Sequence, residues 1–251
     1  MNKIIACWGI PRSRSTAFRW MMQNRGDFET LHEPFCKSAY FSEDRFFNRY
    51  MHYEPESQYN YKAVLQNLLT IAKEKAIWMK DFAHYVMPIV DTQFLSYFQH
   101  SFLIRHPEQM LPSIFHGWPD VTKEELGYKE LYDLFESVCD FMGEIPPIID
   151  ADDLVQAPIA TVEAYCHALR IPFISTALNW EKPKTTQHLS TWNDGGSWQK
   201  NLSNSTGFKK QKNHAYKKIE EDERLQELYE YCIPFYEKLY AHRLRCTLTS
   251  K

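Results

Sequence analysis

The fold of this chain is decided by residues 4–20, which read IIACWGIPRSRSTAFRW. The apolar run predicts a buried strand, which Gly9 and Pro11 then break. Two arginines and three hydroxyl side chains follow at once: Arg12, Ser13, Arg14, Ser15 and Thr16. After them the apolar spacing becomes helical, with Ala17, Trp20, Met21 and Asn24 on one side. The stretch therefore predicts a strand, a tight loop and the start of a helix.

This arrangement is typical of an anion-binding loop. The first amides of a helix lack internal partners, and the helix dipole adds positive potential there. Arg12 and Arg14 add full charges and the hydroxyls add donors. We expect the loop to bind a phosphate or sulfate group, the alternative being a solvated surface turn. A Walker A loop is excluded, because Arg14 stands at its second glycine and Ser15 at its lysine.

Bulk composition is that of an ordinary globular chain. The 251 residues, 44% hydrophobic and 24% charged, suit one large domain or two small ones, and without an internal repeat we expect one domain over 1–251. The net charge of −3 argues against a nucleic-acid partner. No stretch approaches the roughly 18 apolar residues of a membrane span. Six cysteines without C-x-x-C pairs argue against a zinc site and a disulfide framework, and favour the cytoplasm.

Short apolar strands alternate with helices along the rest of the chain. We expect strands within 28–35, 77–79, 101–104 and 147–150, and helices at 61–75, 122–142 and 158–170. A helix should begin at Pro107 and be distorted or ended early by Pro112, and a last one from about 215 to 243 should be interrupted near Pro234. This alternation predicts an α/β fold, a P-loop-like short parallel sheet flanked by helices.

Polar side chains stand where several of these strands end. His32 and Glu33 follow the second strand, Lys80 and Asp81 the third, and Arg105 the fourth. Ligands of open α/β sheets bind at carboxyl strand ends. A second strand beside the first would bring His32 and Glu33 to the anion loop. Alternatively, His32 is a surface residue, Glu33 a turn carboxylate and Arg105 a structural ion-pair partner.

Two segments lack a clear period. Residues 36–60 are rich in aromatic and charged side chains and predict an irregular segment, a lid over the pocket. Residues 181–214 predict a long loop.

Three stretches together resemble the sulfotransferases that use 3′-phosphoadenosine-5′-phosphosulfate (PAPS). Residues 11–16 resemble that family's 5′-phosphosulfate loop. Arg105 at a strand end, with Ser113 eight residues later, resembles its 3′-phosphate motif. The segment from 196–198 through Ser205, Thr206 and Gly207 is similar to its C-terminal cofactor-closing loop. The sequence LHEPF at 31–35 also resembles small bacterial and plant-type members.

The resemblance implies a role for each of these residues. Arg12 would contact the sulfuryl group and the bridging oxygen, with Lys80 as a second cation. The 5′-phosphate would be held by Ser13, Arg14, Ser15 and Thr16. Arg105 and Ser113 would bind the 3′-phosphate, and no metal is required. Cytosolic members usually carry Lys where Arg12 stands, and Arg cannot donate its proton at ordinary pH.

A general base is needed to take the proton of the acceptor hydroxyl. The family's Lys-Thr-His pattern corresponds here to residues 80–82, so its histidine position is Phe82. Glu33 is the first choice, because some bacterial sulfotransferases place a Glu after the second strand. His32 is the second choice, followed by His84 and Asp81.

The function predicted is sulfuryl transfer from PAPS to a hydroxyl or amine of a small-molecule acceptor. The alternatives are a P-loop small-molecule kinase, which would need Mg²⁺ ligands, and a non-catalytic module that binds 3′-phosphoadenosine 5′-phosphate (PAP) or a nucleotide. No membrane partner is expected, and the acceptor and the oligomeric state are not specified by the sequence.

Overall fold

The computed structural model describes residues 2–181, 205–209 and 216–245. Five parallel strands form one sheet in the order β2-β3-β1-β4-β5. The strands are β1 (Ile4–Gly9), β2 (Glu29–His32), β3 (Ile77–Phe82), β4 (Gln99–Ile104) and β5 (Ile148–Asp150). This confirms the α/β class with a short parallel sheet.

Helices connect the strands and cover the sheet. They are α1 (Ser15–Asn24), α2 (Cys36–Phe41), α3 (Tyr61–Glu74), α4 (Thr92–Ser96), α5 (Pro107–Gly117), α6 (Lys123–Leu126), α7 (Tyr128–Met142), α8 (Asp153–Gln156), α9 (Pro158–Ala168) and α10 (Glu223–Ala241). Among the described helices, none is long and apolar enough to cross a membrane.

The sheet divides the core into two layers, as the alternation of side chains along a strand requires. Ile4, Ala6 and Trp8 of β1 face one hydrophobic cluster. Ile5 and Cys7 face the other, which also contains the buried side of α1. Because β1 is buried on both faces, it reads as a continuous apolar run rather than an alternating one.

Strand order places β1 at the centre, with β3 on one side and β4 on the other. The chain moves outward from β1 to β2, returns to β3, and continues on the other side with β4. The strand order thus reverses at β1, the type of position where open α/β sheets bind ligands. The expectation that β2 lies beside β1 is wrong, because β3 stands between them and β2 is the edge strand.

Several predicted boundaries differ from the structure. β3 continues through Lys80 and Asp81 to Phe82, and every residue of it is buried. The predicted helix at 122–142 is broken at Gly127. α5 continues past Pro112, and α10 continues past Pro234. In α10 the carbonyl that Pro234 deprives of a donor belongs to the exposed Glu230, where water can replace it.

The first part of the segment 36–60 packs on the core, whereas residues 51–58 are exposed. It contains α2 and a 3-10 turn at Ser57–Tyr59. The rings of Tyr40 and Phe47 stack at 4.9 Å inside the core. Arg49 forms ion pairs with Glu125 at 2.6 Å and with Asp120 at 2.9 Å, which anchors the segment to α6 and the turn before it.

Candidate active site

The anion loop has a fixed shape between β1 and α1. Arg12 and Arg14 are both in the left-handed region, with φ of 59° and 65°, and Arg14 is the N-cap of α1. The buried Ser13 donates its hydroxyl to the Ile10 carbonyl at 2.7 Å, so this hydroxyl closes the turn. A Cβ on Gly9 would lie 3.3 Å from the Leu103 carbonyl oxygen, which shows how closely the chain approaches β4 here. Ser15 and Thr16 begin α1, where amides lack partners within the helix.

Arg12, Arg105 and Ser113 meet at this loop. The Nε of Arg12 donates to the Ser113 hydroxyl at 2.9 Å. The Nη1 of Arg105 donates to the Arg12 carbonyl at 2.6 Å. The residues predicted from two separate motifs therefore form one site. Arg12 contacts Ser113, the residue predicted for the 3′-phosphate, and its predicted contact with the sulfuryl group stays a prediction.

Positive charge is concentrated and incompletely hydrogen-bonded in this cluster. The Nε atoms of Arg14 and Arg105 are buried and donate to no other atom in the described part of the chain. Burial lowers the pKa of Arg12 and Arg14, and it lowers that of Arg105 to about 10, with Arg14 adding repulsion. Buried guanidinium donors without partners are costly in free energy. An anion with several oxygens would remove that cost, so the cluster fits a phosphate.

Lys80 connects the anion loop to Glu33. Its ammonium donates to the Ser15 hydroxyl at 3.3 Å and to Oε1 of Glu33. Lys80 is 1% exposed and Glu33 is 7% exposed, so this is a buried ion pair. The amide of Glu33 donates to the Lys80 carbonyl at 2.8 Å. Glu33 therefore lies next to the loop even though β2 does not adjoin β1.

His32 lies behind this pair. Its Nε2 is 3.8 Å from Oε1 of Glu33. Burial, with the nearby charges of Lys80 and Arg19, lowers the pKa of His32 well below 6.5. The imidazole is therefore neutral at pH 7. Its Nδ1 is buried and has no hydrogen-bond partner in the described ranges.

The other two candidate bases lie in the core. Asp81 is fully buried, and its two oxygens accept the amides of Phe35 at 2.8 Å and Phe82 at 2.9 Å. Burial raises the pKa of its carboxyl well above the usual range. His84 stacks on Phe82 with ring centroids 5.6 Å apart, and burial lowers its pKa to about 3. Backbone amides therefore occupy the Asp81 carboxyl, whereas Nδ1 of His84 is buried without a hydrogen-bond partner in the described residues.

The described part of the predicted C-terminal loop packs beside α1. The Trp180 indole donates to the Ser205 carbonyl at 3.1 Å, and the Trp180 amide donates to the Thr206 carbonyl at 3.2 Å. Gly207 runs close to the Leu178 carbonyl. Phe208 packs against Trp180 and, with ring centroids 6.4 Å apart, against Phe18 of α1. Residues 196–198 lie outside the described ranges.

Sequence reasoning missed the groups that support the arginines. The Tyr128 hydroxyl donates to the Arg105 carbonyl at 2.8 Å. Asp150 and Asp152 exert an attractive field on Arg14. Asp150 also accepts the Tyr236 hydroxyl at 3.0 Å, and burial raises its pKa to about 6. Asp150 and Asp152 stand at the end of the strand predicted within 147–150, and this position could have indicated that they lie near the arginines.

The fold and this loop define an α/β protein with an arginine-rich loop at the switch point of a parallel sheet. Residues 2–243 match the family model described as "Sulfotransferase domain". The chain belongs to this family.

Two curated relatives come from Arabidopsis thaliana. Branched-chain-amino-acid aminotransferase-like protein 2 is 30% identical over 248 residues, which are 96% of this chain and 42% of the relative. Branched-chain-amino-acid aminotransferase-like protein 1 is 29% identical over 217 residues, 84% of this chain and 38% of the relative. The chain thus spans less than half the length of the curated relatives it matches.

Two solved structures are similar in overall shape. The sulfotransferase domain from the curacin biosynthetic pathway has 14% identity and a TM-score of 0.46, over 100% of this chain and 94% of that one. The sulfotransferase domain from the Synechococcus PCC 7002 olefin synthase has 15% identity and a TM-score of 0.46, over 97% and 96%.

Proposed function

We propose that this protein transfers a sulfuryl group from PAPS to a hydroxyl or amine of a small-molecule acceptor. The observation that carries the proposal is the convergence of Arg12, Arg105 and Ser113 at the loop after β1. The buried Nε atoms of Arg14 and Arg105, which have no hydrogen-bond partner in the described residues, add donors for an anion. Membership of the sulfotransferase family makes PAPS the expected donor.

The arginines and the loop would hold the two phosphates of the donor. Arg105 and Ser113 bind the 3′-phosphate, and Arg12 lies close enough to Ser113 to share it. Arg14, the side chains of Ser15 and Thr16 and the first amides of α1 bind the 5′-phosphate, with Ser13 holding the turn. The donor supplies the sulfuryl group, and Ser205, Thr206 and Gly207 belong to the segment that would close over it.

Catalysis in this scheme consists of positioning and charge stabilisation. Sulfuryl transfer is similar to phosphoryl transfer, a loose in-line displacement with little covalent work for the protein. Lys80 donates to Ser15, the first residue of α1, so its cation lies beside the proposed site of the 5′-phosphate. Its ammonium stabilises the negative charge that develops on the leaving phosphate oxygen.

Glu33 is our proposed general base. Its carboxylate lies beside Lys80 and the anion loop, whereas Asp81 and His84 are engaged in the core. His32 is neutral and adjacent, and it remains the second candidate. A cytoplasmic location and a single domain over 1–251 are part of the same proposal.

A calorimetric titration with PAP tests the donor site. We expect PAP to bind tightly without magnesium and AMP, ADP and ATP to bind weakly, because only PAP carries the 3′-phosphate. Arg105→Ala should weaken PAP binding by roughly 10- to 100-fold, the worth of a hydrogen bond to a charged group.

The matched control is Arg245→Ala. Arg245 is exposed, and the amide of its neighbour Leu244 donates to the carbonyl of Ile148 at the amino end of β5, whereas the site lies at the carboxyl ends of the strands. The PAP affinity of the Arg245→Ala variant should equal that of the wild type. ATP binding only with magnesium would replace the proposal by a kinase, and PAP binding without transfer to any acceptor would favour a non-catalytic module.

A further inference from the structure

Lys80 lies between two groups that have different tasks in the proposed reaction. On one side its ammonium donates to Ser15, the first residue of α1. On the other side it donates to Oε1 of Glu33, the proposed base. The aliphatic part of Lys80 is enclosed, and its ammonium lies 4.5 Å from the centre of the Phe82 ring. One buried cation is therefore in contact both with the proposed base and with the residue where α1 begins.

The ion pair between Lys80 and Glu33 also limits how Glu33 can act as a base. A general base must hydrogen-bond the hydroxyl whose proton it takes. Oε1 of Glu33 is occupied by the Lys80 ammonium instead. The arrangement holds the carboxylate in place but keeps this oxygen from an acceptor.

A donor at the anion loop competes for the same cation. Its 5′-phosphate would lie against the start of α1, where Ser15 is already within hydrogen-bond distance of Lys80. In a buried site, attraction between close opposite charges is strong. The bound phosphate therefore offers Lys80 a second partner next to the one it has.

We propose that Lys80 exchanges Glu33 for the bound donor, so that donor binding releases the base for proton abstraction. This inference rests on the proposed function. It makes Lys80 the residue that couples donor binding to the acceptor half of the site.

The exchange predicts a specific effect on donor affinity. If donor binding breaks the contact between Lys80 and Glu33, the donor and the Glu33 carboxylate compete for the Lys80 ammonium. Because coupling between two sites is reciprocal, removing the charge of Glu33 should strengthen donor binding. Glu33→Gln should tighten PAP binding by about tenfold, at the lower end of coupling measured for close charge pairs. Lys80→Met should weaken PAP binding.

The double variant separates exchange from simple charge repulsion. Without Lys80 there is no cation to exchange, so Glu33→Gln should leave PAP affinity unchanged in the Lys80→Met background. Glu29→Gln is the matched control, because it removes one carboxylate from β2, the strand that Glu33 follows, and Glu29 pairs with Lys75 at the exposed edge of the sheet. It should leave PAP affinity unchanged in the wild-type background.

Each result of the titrations is decisive. Wild-type protein that binds no PAP contradicts the proposed function itself. Wild-type protein that binds PAP, with Glu33→Gln binding equally or more weakly, overturns the exchange alone. Equal tightening in both backgrounds overturns it as well, since the effect is then electrostatic repulsion. If Glu33→Gln does not fold, Glu33→Asp, which keeps the charge but shortens the side chain, should tighten PAP binding in the same direction and to a smaller degree.

Discussion

Glu33 has an uncommon backbone conformation directly after β2, with φ of 48°. Left-handed geometry costs a residue with a Cβ roughly 1–2 kcal/mol. Two contacts with Lys80 offset this cost, since the amide of Glu33 donates to the Lys80 carbonyl and its carboxylate pairs with the ammonium. The strain is local and fixes the carboxylate beside the anion loop, as strained residues at functional sites commonly do.

Glu33→Gln should lower kcat by about 10²- to 10⁴-fold, the usual contribution of a general base. Gln is nearly isosteric and cannot accept the acceptor's proton. His32→Gln is the control, since it changes the neighbouring residue and leaves the carboxylate. Transfer from radiolabelled PAPS to an acceptor found by screening measures both. Near-full turnover by Glu33→Gln would remove Glu33 as the base, and a larger loss in His32→Gln would transfer the role to His32.

Individual residues also show what the sequence could predict of the site. The spacing of Arg105 and Ser113 and the composition of the loop after β1 identified most of the cluster. The contact between Arg12 and Ser113 could not be predicted, because the two residues are 101 positions apart and the direction of a long side chain depends on the packed fold. Tyr128 was missed for the same reason, since its hydroxyl reaches a backbone carbonyl that has no sequence signature.

Gly127 separates α6 from α7. Both its backbone conformation and the closeness of the His84 side chain require a glycine at this position. Its φ is 74°, and a Cβ there would lie 2.3 Å from Nδ1 of His84, a fully enclosed side chain. The helical period over 122–142 predicts one helix because both parts present apolar residues to the core. The spacing of apolar residues cannot reveal a break between two helices that bury the same face.

Gly127→Ala should lower the free energy of unfolding by about 2–5 kcal/mol, the sum of left-handed strain and overpacking. Gly143→Ala is the matched control: its φ is 70°, but nothing lies within 4 Å of the added Cβ. That variant should lose only the conformational part, roughly 1–2 kcal/mol. Urea unfolding measures both, and equal losses would show that the contact with His84 is relieved at little cost.

The strands were predictable as elements, whereas their ends and neighbours were not. Lys80 and Asp81 end the apolar run of β3, yet both remain in the strand because Glu33 and backbone amides satisfy them. Those partners come from other segments, so local hydrophobicity cannot indicate them. The position of β2 at the sheet edge is likewise a property of topology, which strand patterns alone do not determine.

Across the whole molecule, buried histidines link stability to pH. Burial lowers the pKa of His84 to about 3 and that of His100 to about 4, and it lowers the pKa of His32 well below 6.5. The unfolded chain takes up protons below about pH 6.5, while these folded-state imidazoles do not. Stability from these groups is therefore present above that pH and is lost as the pH falls. The buried carboxyl of Asp150, with a pKa raised to about 6, contributes with the opposite sign.

His84→Leu should reduce this acid sensitivity. Between pH ~7 and ~4.5, His84 alone should cost the wild type about 2–3 kcal/mol of unfolding free energy. Leu cannot titrate, so the variant should lose less stability than the wild type over that range. Asp150 is common to both proteins and cancels in the comparison.

Phe94→Leu is the control, another buried substitution, and it should lower stability equally at both pH values. Urea unfolding gives the free energy of unfolding of each protein at both pH values. The stability that a variant loses through poorer packing is the same at both values, so it cancels from the difference between them. Parallel losses in wild type and His84→Leu would show that His84 becomes protonated without unfolding.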